Sequence, residues 1–162
     1  MRMFLVVGVL LIAAASSALA QVNEQILGTW RLVNFSAQVV PTGEDVEAFG
    51  KAPQGYLNYG SDGRMLVIMV KENRPKQTDL AQLTDADRLE LFKSMVAYGG
   101  TFRVEGDRII HEVDVSWNEN WTGTSQVRRF RIDGRKLIIT QDPQVGPDGR
   151  RTTAVLTWER VQ

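Results

Sequence analysis

Residues 108–128 read RIIHEVDVSWNENWTGTSQVR and hold the only histidine, His111, and two of the four tryptophans, Trp117 and Trp121. In an extended strand, residues two apart share a face. His111 is therefore expected to point the same way as Ile109, Val113, Val115 and Trp117, while Glu112, Asp114 and Ser116 point the other way. An apolar face carrying one imidazole reads as the lining of a pocket, with the rest of the chain as its wall.

The 162-residue chain opens with Arg2, an apolar run from Phe4 to Ala15, and Ala18-Leu19-Ala20. That is the n-region, h-region and A-x-A pattern of a signal peptide, and cleavage before Gln21 is expected. The run is too short to span a bilayer comfortably. No other stretch is apolar enough to insert, so the expectation is a soluble exported protein, periplasmic or secreted. Residues 21–162 are the size of one domain, able to bury roughly two thirds of its unfolded surface. Lys plus Arg and Asp plus Glu balance at 19 each, which gives no electrostatic case for nucleic acid or an anionic membrane. With no cysteine, thiol catalysis, cysteine metal sites and acylated-cysteine anchoring are excluded, and no disulfide can support the core.

Ile26 to Val40 reads as a long first strand, with Trp30, Leu32, Asn34 and Ser36 on one face. Pro41 to Pro53 has no periodicity and reads as a loop. Gly55 to Tyr59 and Arg64 to Lys71 are strands joined by Ser61-Asp62-Gly63, a hairpin signal. A helix is expected next, capped by Thr84, with Asp85 and Asp87 in its first turn. Leu89, Phe92, Met95 and Val96 would form its buried face, and Gly99-Gly100 would stop it. Further strands follow: Thr101 to Glu105, Arg108 to Trp117, Trp121 to Ile132, Lys136 to Gln141 and Arg151 to Val161. The sum is an all-β chain: eight strands in up-and-down antiparallel order, with one helix between the third and fourth. Eight such strands can close into a barrel wide enough for one small ligand, and closure removes exposed edges.

Several segments resemble a known family. Gly28-Thr29-Trp30 is similar to the G-x-W that opens the first strand in lipocalins, where the tryptophan plugs the closed end under an arginine from the last strand. The resemblance makes Arg160 the expected partner of Trp30. More specifically, the chain resembles the bacterial and fungal lipocalin-like domain family. The matching segments are 53–59 with 62–65, 97–102, 111–116 and 120–128, in the right order over about Leu27 to Arg160. Two features depart from true secreted lipocalins: the helix precedes the fourth strand, and there are no disulfides. The resemblance implies a barrel with a cavity. Some lipocalin-like barrels in biosynthetic pathways act as isomerases or cyclases.

His111 is the sharpest candidate for chemistry, as a general acid or base or as a hydrogen-bond donor to a ligand; it also reads as a core histidine satisfied by a neighbouring strand. Glu112 and Asp114 lie on the opposite face and cannot orient it. On the following strand, Arg129 and Arg131 mark the outer parity, which leaves Gln126 and Arg128 inward, beside Phe130. An inner Arg128 would meet a ligand carboxylate or a buried acid such as Glu159. Trp117 and Trp121 are candidates for the cavity mouth, Asn120 for electrostatic support, and Tyr56 and Asn58 for the lining by parity. No cofactor is expected: a lone imidazole admits haem only weakly, and metal ligation lacks the usual clusters. No G-x-S-x-G, P-loop or dinucleotide fingerprint occurs. Three functional readings follow. The first is a protein that binds a small, largely apolar molecule in the barrel. The second is a cofactor-free isomerase or cyclase using His111. The third is a cell-envelope interaction module acting through the loops 41–53 and 141–151.

Overall fold

The computed structural model describes residues 24–46, 49–76, 79–145 and 151–162. The leader expected at 1–20 lies outside them. Eight strands close a single antiparallel sheet: β1 (Gly28–Val39), β3 (Gln54–Tyr59), β4 (Arg64–Val70), β5 (Met95–Glu105), β6 (Arg108–Ser116), β7 (Ser125–Asp133), β8 (Lys136–Val145) and β9 (Arg151–Arg160). Each pairs with its neighbour in sequence, and β9 returns to pair with β1, which seals the barrel. The turns at 60–63, 106–107 and 134–135 fall at Ser61-Asp62-Gly63, Gly106-Asp107 and Asp133-Gly134, and such short connections leave consecutive strands no choice but to pair.

Two expectations about the elements between the barrel strands need correction. The loop after β1 contains a two-residue strand, β2 (Asp45–Val46), held by Ala37↔Val46 and Gln38↔Asp45 pairing and by Gln38 Nε2 donating to Asp45 Oδ1 at 3.0 Å. Such a pair is too short to carry a period. With β2 counted, the helix follows the fourth strand, β4, rather than the third. This helix, α1 (Asp85–Lys93), begins where expected: Thr84 Oγ1 accepts from the Asp87 N–H and Asp87 Oδ2 accepts from the Thr84 N–H, a capping box. It stops earlier than expected, and none of its residues is buried; Leu89 and Phe92 are half exposed. Met95 to Thr101 instead pairs along the whole of β4, from Val70↔Met95 to Arg64↔Thr101. A full ladder of backbone hydrogen bonds and an inward Tyr98 outweigh the weak local helical period.

Bulges re-aim the strands. In β1 the register shifts between Leu32 and Asn34, so Trp30 and Leu32 face inward, and then Ala37 with a half-buried Phe35 rather than Asn34 and Ser36. In β6, Gly99 pairs with Val115 and Gly100 with Val113, leaving Asp114 unmatched. Ile109, His111 and Val113 are buried, but Val115 is 60% exposed, contrary to the simple alternation. One extra residue in a strand moves every later side chain to the other face.

One end is closed by Trp30, wholly buried, whose Nε1 donates to Ile26 O at 2.8 Å. The Arg160 guanidinium lies over the indole at 4.1 Å and donates to Leu27 O at 2.6 Å and to Gln25 O. It is thus the cation–π partner that the resemblance implied. Gly28 makes this possible: it adopts φ +112, and a Cβ there would meet Arg160 Nη1 at 3.0 Å.

Candidate functional site

Above this plug the barrel encloses a cavity of about 580 Å³, within the usual range for a small-molecule site. Aliphatic and aromatic side chains from nearly every strand wall it, among them Leu57, Val67, Met69, Ile139 and Leu156. Trp117 and Trp121 contribute from the turn between β6 and β7, packed edge to face with centroids 4.9 Å apart. Trp121 also packs edge to face on Tyr98 at 5.4 Å.

One polar cluster interrupts these walls. His111, 2% exposed, sits between two tyrosines, with Tyr59 Oη 2.8 Å from Nε2 and Tyr98 Oη 2.9 Å from Nδ1. Burial, with the nearby Arg128 charge, lowers the imidazole pKa to about 3, so the ring is neutral at physiological pH. Burial likewise raises the pKa of both phenols and keeps them protonated. A neutral imidazole donates through one nitrogen and accepts through the other. One tyrosine therefore gives its proton to the ring, and the other receives one and keeps its own O–H to donate elsewhere. Tyr98 lines the cavity and Tyr59 does not. No hydroxyl is stranded inside the wall when Tyr59 donates to Nε2, Nδ1–H donates to Tyr98, and the Tyr98 O–H faces the cavity.

Arg128, 3% exposed, lines the same cavity. Its Nη1 donates to Val127 O and its Nη2 to Gln126 Oε1, both at 3.0 Å. Trp158, also buried and lining, has an Nε1–H with no acceptor among the described residues. Arg128 and Trp158 thus bring unspent donors to a cavity whose other polar lining, Asn118, Gln141, Gln144 and Thr152, is neutral.

The model of the lipocalin-like domain family matches residues 27–161, almost all of the barrel. The chain belongs to the lipocalin-like domain family. A relative from Aspergillus oryzae, the 4'-hydroxy-3'-methoxypropiophenone carrier protein, is 30% identical over 86 residues, covering 48% of this chain and 78% of its own. Among solved structures, an uncharacterized protein from Bacteroides eggerthii aligns with 82% of this chain and 98% of its own at 14% identity and a TM-score of 0.38.

Of the candidate residues, this lipocalin-like barrel brings His111, Arg128, Trp117 and Trp121 to one cavity. Gln126 does not line it; half-buried, it holds Arg128 from one side and donates to Thr124 Oγ1 at 3.1 Å on the other. Asn120 is exposed on a 3-10 turn, its N–H bound by Asn118 Oδ1, and Asn118 lines the cavity in its place. Tyr56 and Asn58 face outward, Tyr56 at 52% exposure and Asn58 Nδ2 donating to Thr29 Oγ1 at 2.8 Å. Pairing with β4 turns Leu57 and Tyr59 inward instead. Glu159 pairs with Arg31 at 3.0 Å on the surface and not with Arg128. Tyr59, Tyr98 and Trp158 carry roles that the sequence reading missed. Among the described residues no group of His, Cys, Asp or Glu is placed to hold a metal ion.

The depressed His111 pKa predicts a pH dependence of stability. In the unfolded chain the ring protonates near its ordinary pKa of about 6.5, whereas in the barrel it resists to about 3. Between these values the unfolded state binds more protons, so stability falls as pH falls. The stabilisation is complete above about pH 6.5 and is lost progressively to about pH 3, a few kcal/mol in all. Asp87 and Glu112 also have lowered pKa values, through hydrogen bonds from Thr84 and Ser125 respectively, but carboxylates titrate only at lower pH. Urea unfolding of wild type should weaken between pH 6.5 and 5. His111→Phe should be flat over that interval; an equal slope in both proteins would contradict a ring held neutral.

Proposed function

We propose that this barrel carries a small, largely apolar, ring-bearing molecule in its cavity, and that the chain reaches the periplasm or exterior through the leader 1–20. The cavity carries the reading: about 580 Å³ with aromatic walls and one polar cluster. Shape and apolar area hold such a ligand, and a few fixed donors orient it. The Aspergillus oryzae relative is by name a carrier of an aryl ketone, a molecule of the same kind. An acid–base enzyme is the weaker reading, because both His111 nitrogens are occupied and a pKa of about 3 suits neither proton abstraction nor donation near neutrality. A loop-based module is weaker still, since it calls for no internal space.

Titrating the protein with 2-acetylnaphthalene, a neutral aryl ketone, tests the proposal through quenching of tryptophan fluorescence. Saturable binding is expected, weakened about tenfold by Trp121→Ala, which removes an aromatic wall. Absence of saturable binding to wild type would overturn the carrier reading. Fractionation of the host should place the protein outside the cytoplasm with its amino terminus at Gln21; a cytoplasmic protein that retains Arg2 would overturn the export reading.

A further inference from the structure

We propose that the ligand of this cavity carries an oxyanion, a carboxylate or an acidic phenol, that docks on Arg128 while its ring body fills the apolar walls. The inference rests on the carrier reading and refines it. A guanidinium stays charged throughout the biological pH range. Buried away from water, such a charge is costly unless an opposite charge meets it. Arg128 is buried, yet the oxygens around it are neutral, Val127 O, Gln126 Oε1 and the Tyr98 hydroxyl, and none of them offsets a guanidinium's charge. The ion pairs of the described residues all join side chains at least 40% exposed, and none includes Arg128.

The groups nearest to Arg128 cannot supply the missing charge. His111 is neutral, and Tyr59 and Tyr98 are protonated phenols. The same cavity presents the unpartnered Trp158 Nε1–H and a Tyr98 O–H. Unspent donors beside an uncompensated cation select an acceptor that is itself charged, since charge-assisted hydrogen bonds are roughly twice as strong as neutral ones.

Two matched pairs of probes at constant ionic strength test this. One is 2-naphthoate against methyl 2-naphthoate at pH 7. The other is 6-hydroxy-2-acetylnaphthalene against its methyl ether, measured above the ionisation of the phenol. Wild type should bind the charged member of at least one pair about tenfold or more tighter than the neutral member. Which pair shows the preference identifies carboxylate or phenolate as the source. Arg128→Gln should erase the preference, the charged probe losing far more affinity than the neutral one, and Arg128→Lys should retain part of it. If the neutral probes bind but neither pair shows a preference, or if the preference survives in Arg128→Gln, the inference is overturned and the carrier reading stands. If no probe binds, both fall.

Discussion

Gly100→Ala is expected to cost about 3 kcal/mol or more and to lower the yield of folded protein sharply. A Cβ at this position would lie 1.9 Å from Glu112 O and 2.9 Å from the Glu112 carbonyl carbon. Both are backbone atoms of the paired strand, so no side chain can swing aside to make room. The strands must separate at the bulge where β6 aims His111 and Val113 inward. Gly99 provides the control. There a Cβ would first meet Leu66 Cδ1, the end of a flexible side chain, at 3.1 Å, and Gly99→Ala should cost far less. Urea unfolding of the two variants measures the difference. Equal midpoints would mean that the chain at Gly100 does not approach β6 so closely.

Trp30→Ala should destabilise the barrel by about 3–5 kcal/mol, the cost of deleting a large buried aromatic. Trp30 has no exposed surface, fills the closed end and gives its N–H to Ile26 O. Its loss leaves a void and strips Arg160 of the ring beneath its guanidinium. A marginally stable domain of this size has only about 5–15 kcal/mol in hand, so the variant should unfold at much lower urea with little change in m-value. Arg160→Ala should cost less, about 1 kcal/mol for the cation–π contact together with its backbone hydrogen bonds. A Trp30→Ala midpoint close to that of wild type would contradict the role of the plug.

The strand order was legible because tight turns rich in Gly and Asp leave pairing unambiguous, and because β7 along its length, and β6 at Ile109, His111 and Val113, follow alternation. That alternation also placed His111 and Arg128 on one side. Legibility failed where local sequence carries two messages. In β3 each face has a tyrosine, so Tyr56 with Asn58 and Tyr59 with Leu57 look alike until β4 is laid alongside. Tyr98 was hidden because Met95, Val96 and the residues before them fit a helical period, although the hydrogen bonds of β4 claim them for a strand. Bulges at β1 and β6 are invisible to a rule of two, since nothing in Leu32-Val33-Asn34 announces the extra residue. Trp158 was legible as a tryptophan near the closed end, but an unpartnered N–H is a property of its surroundings.

The seam between β1 and β9 bears on how the chain reaches this state. It joins Trp30 to Arg160 and Val39 to Thr152, so the barrel cannot close until its last strand has been synthesised and is free to move. Contacts between such distant residues require the largest loops to be closed before they return any stabilisation, which makes folding slow relative to helical chains of this length. Until then β1 presents an unpaired edge, the part of a sheet most prone to pair with another molecule. Kinetic partitioning between closure and aggregation should therefore be decided at β9, and substitutions in residues 151–160 should lower soluble yield more than their effect on equilibrium stability alone would imply.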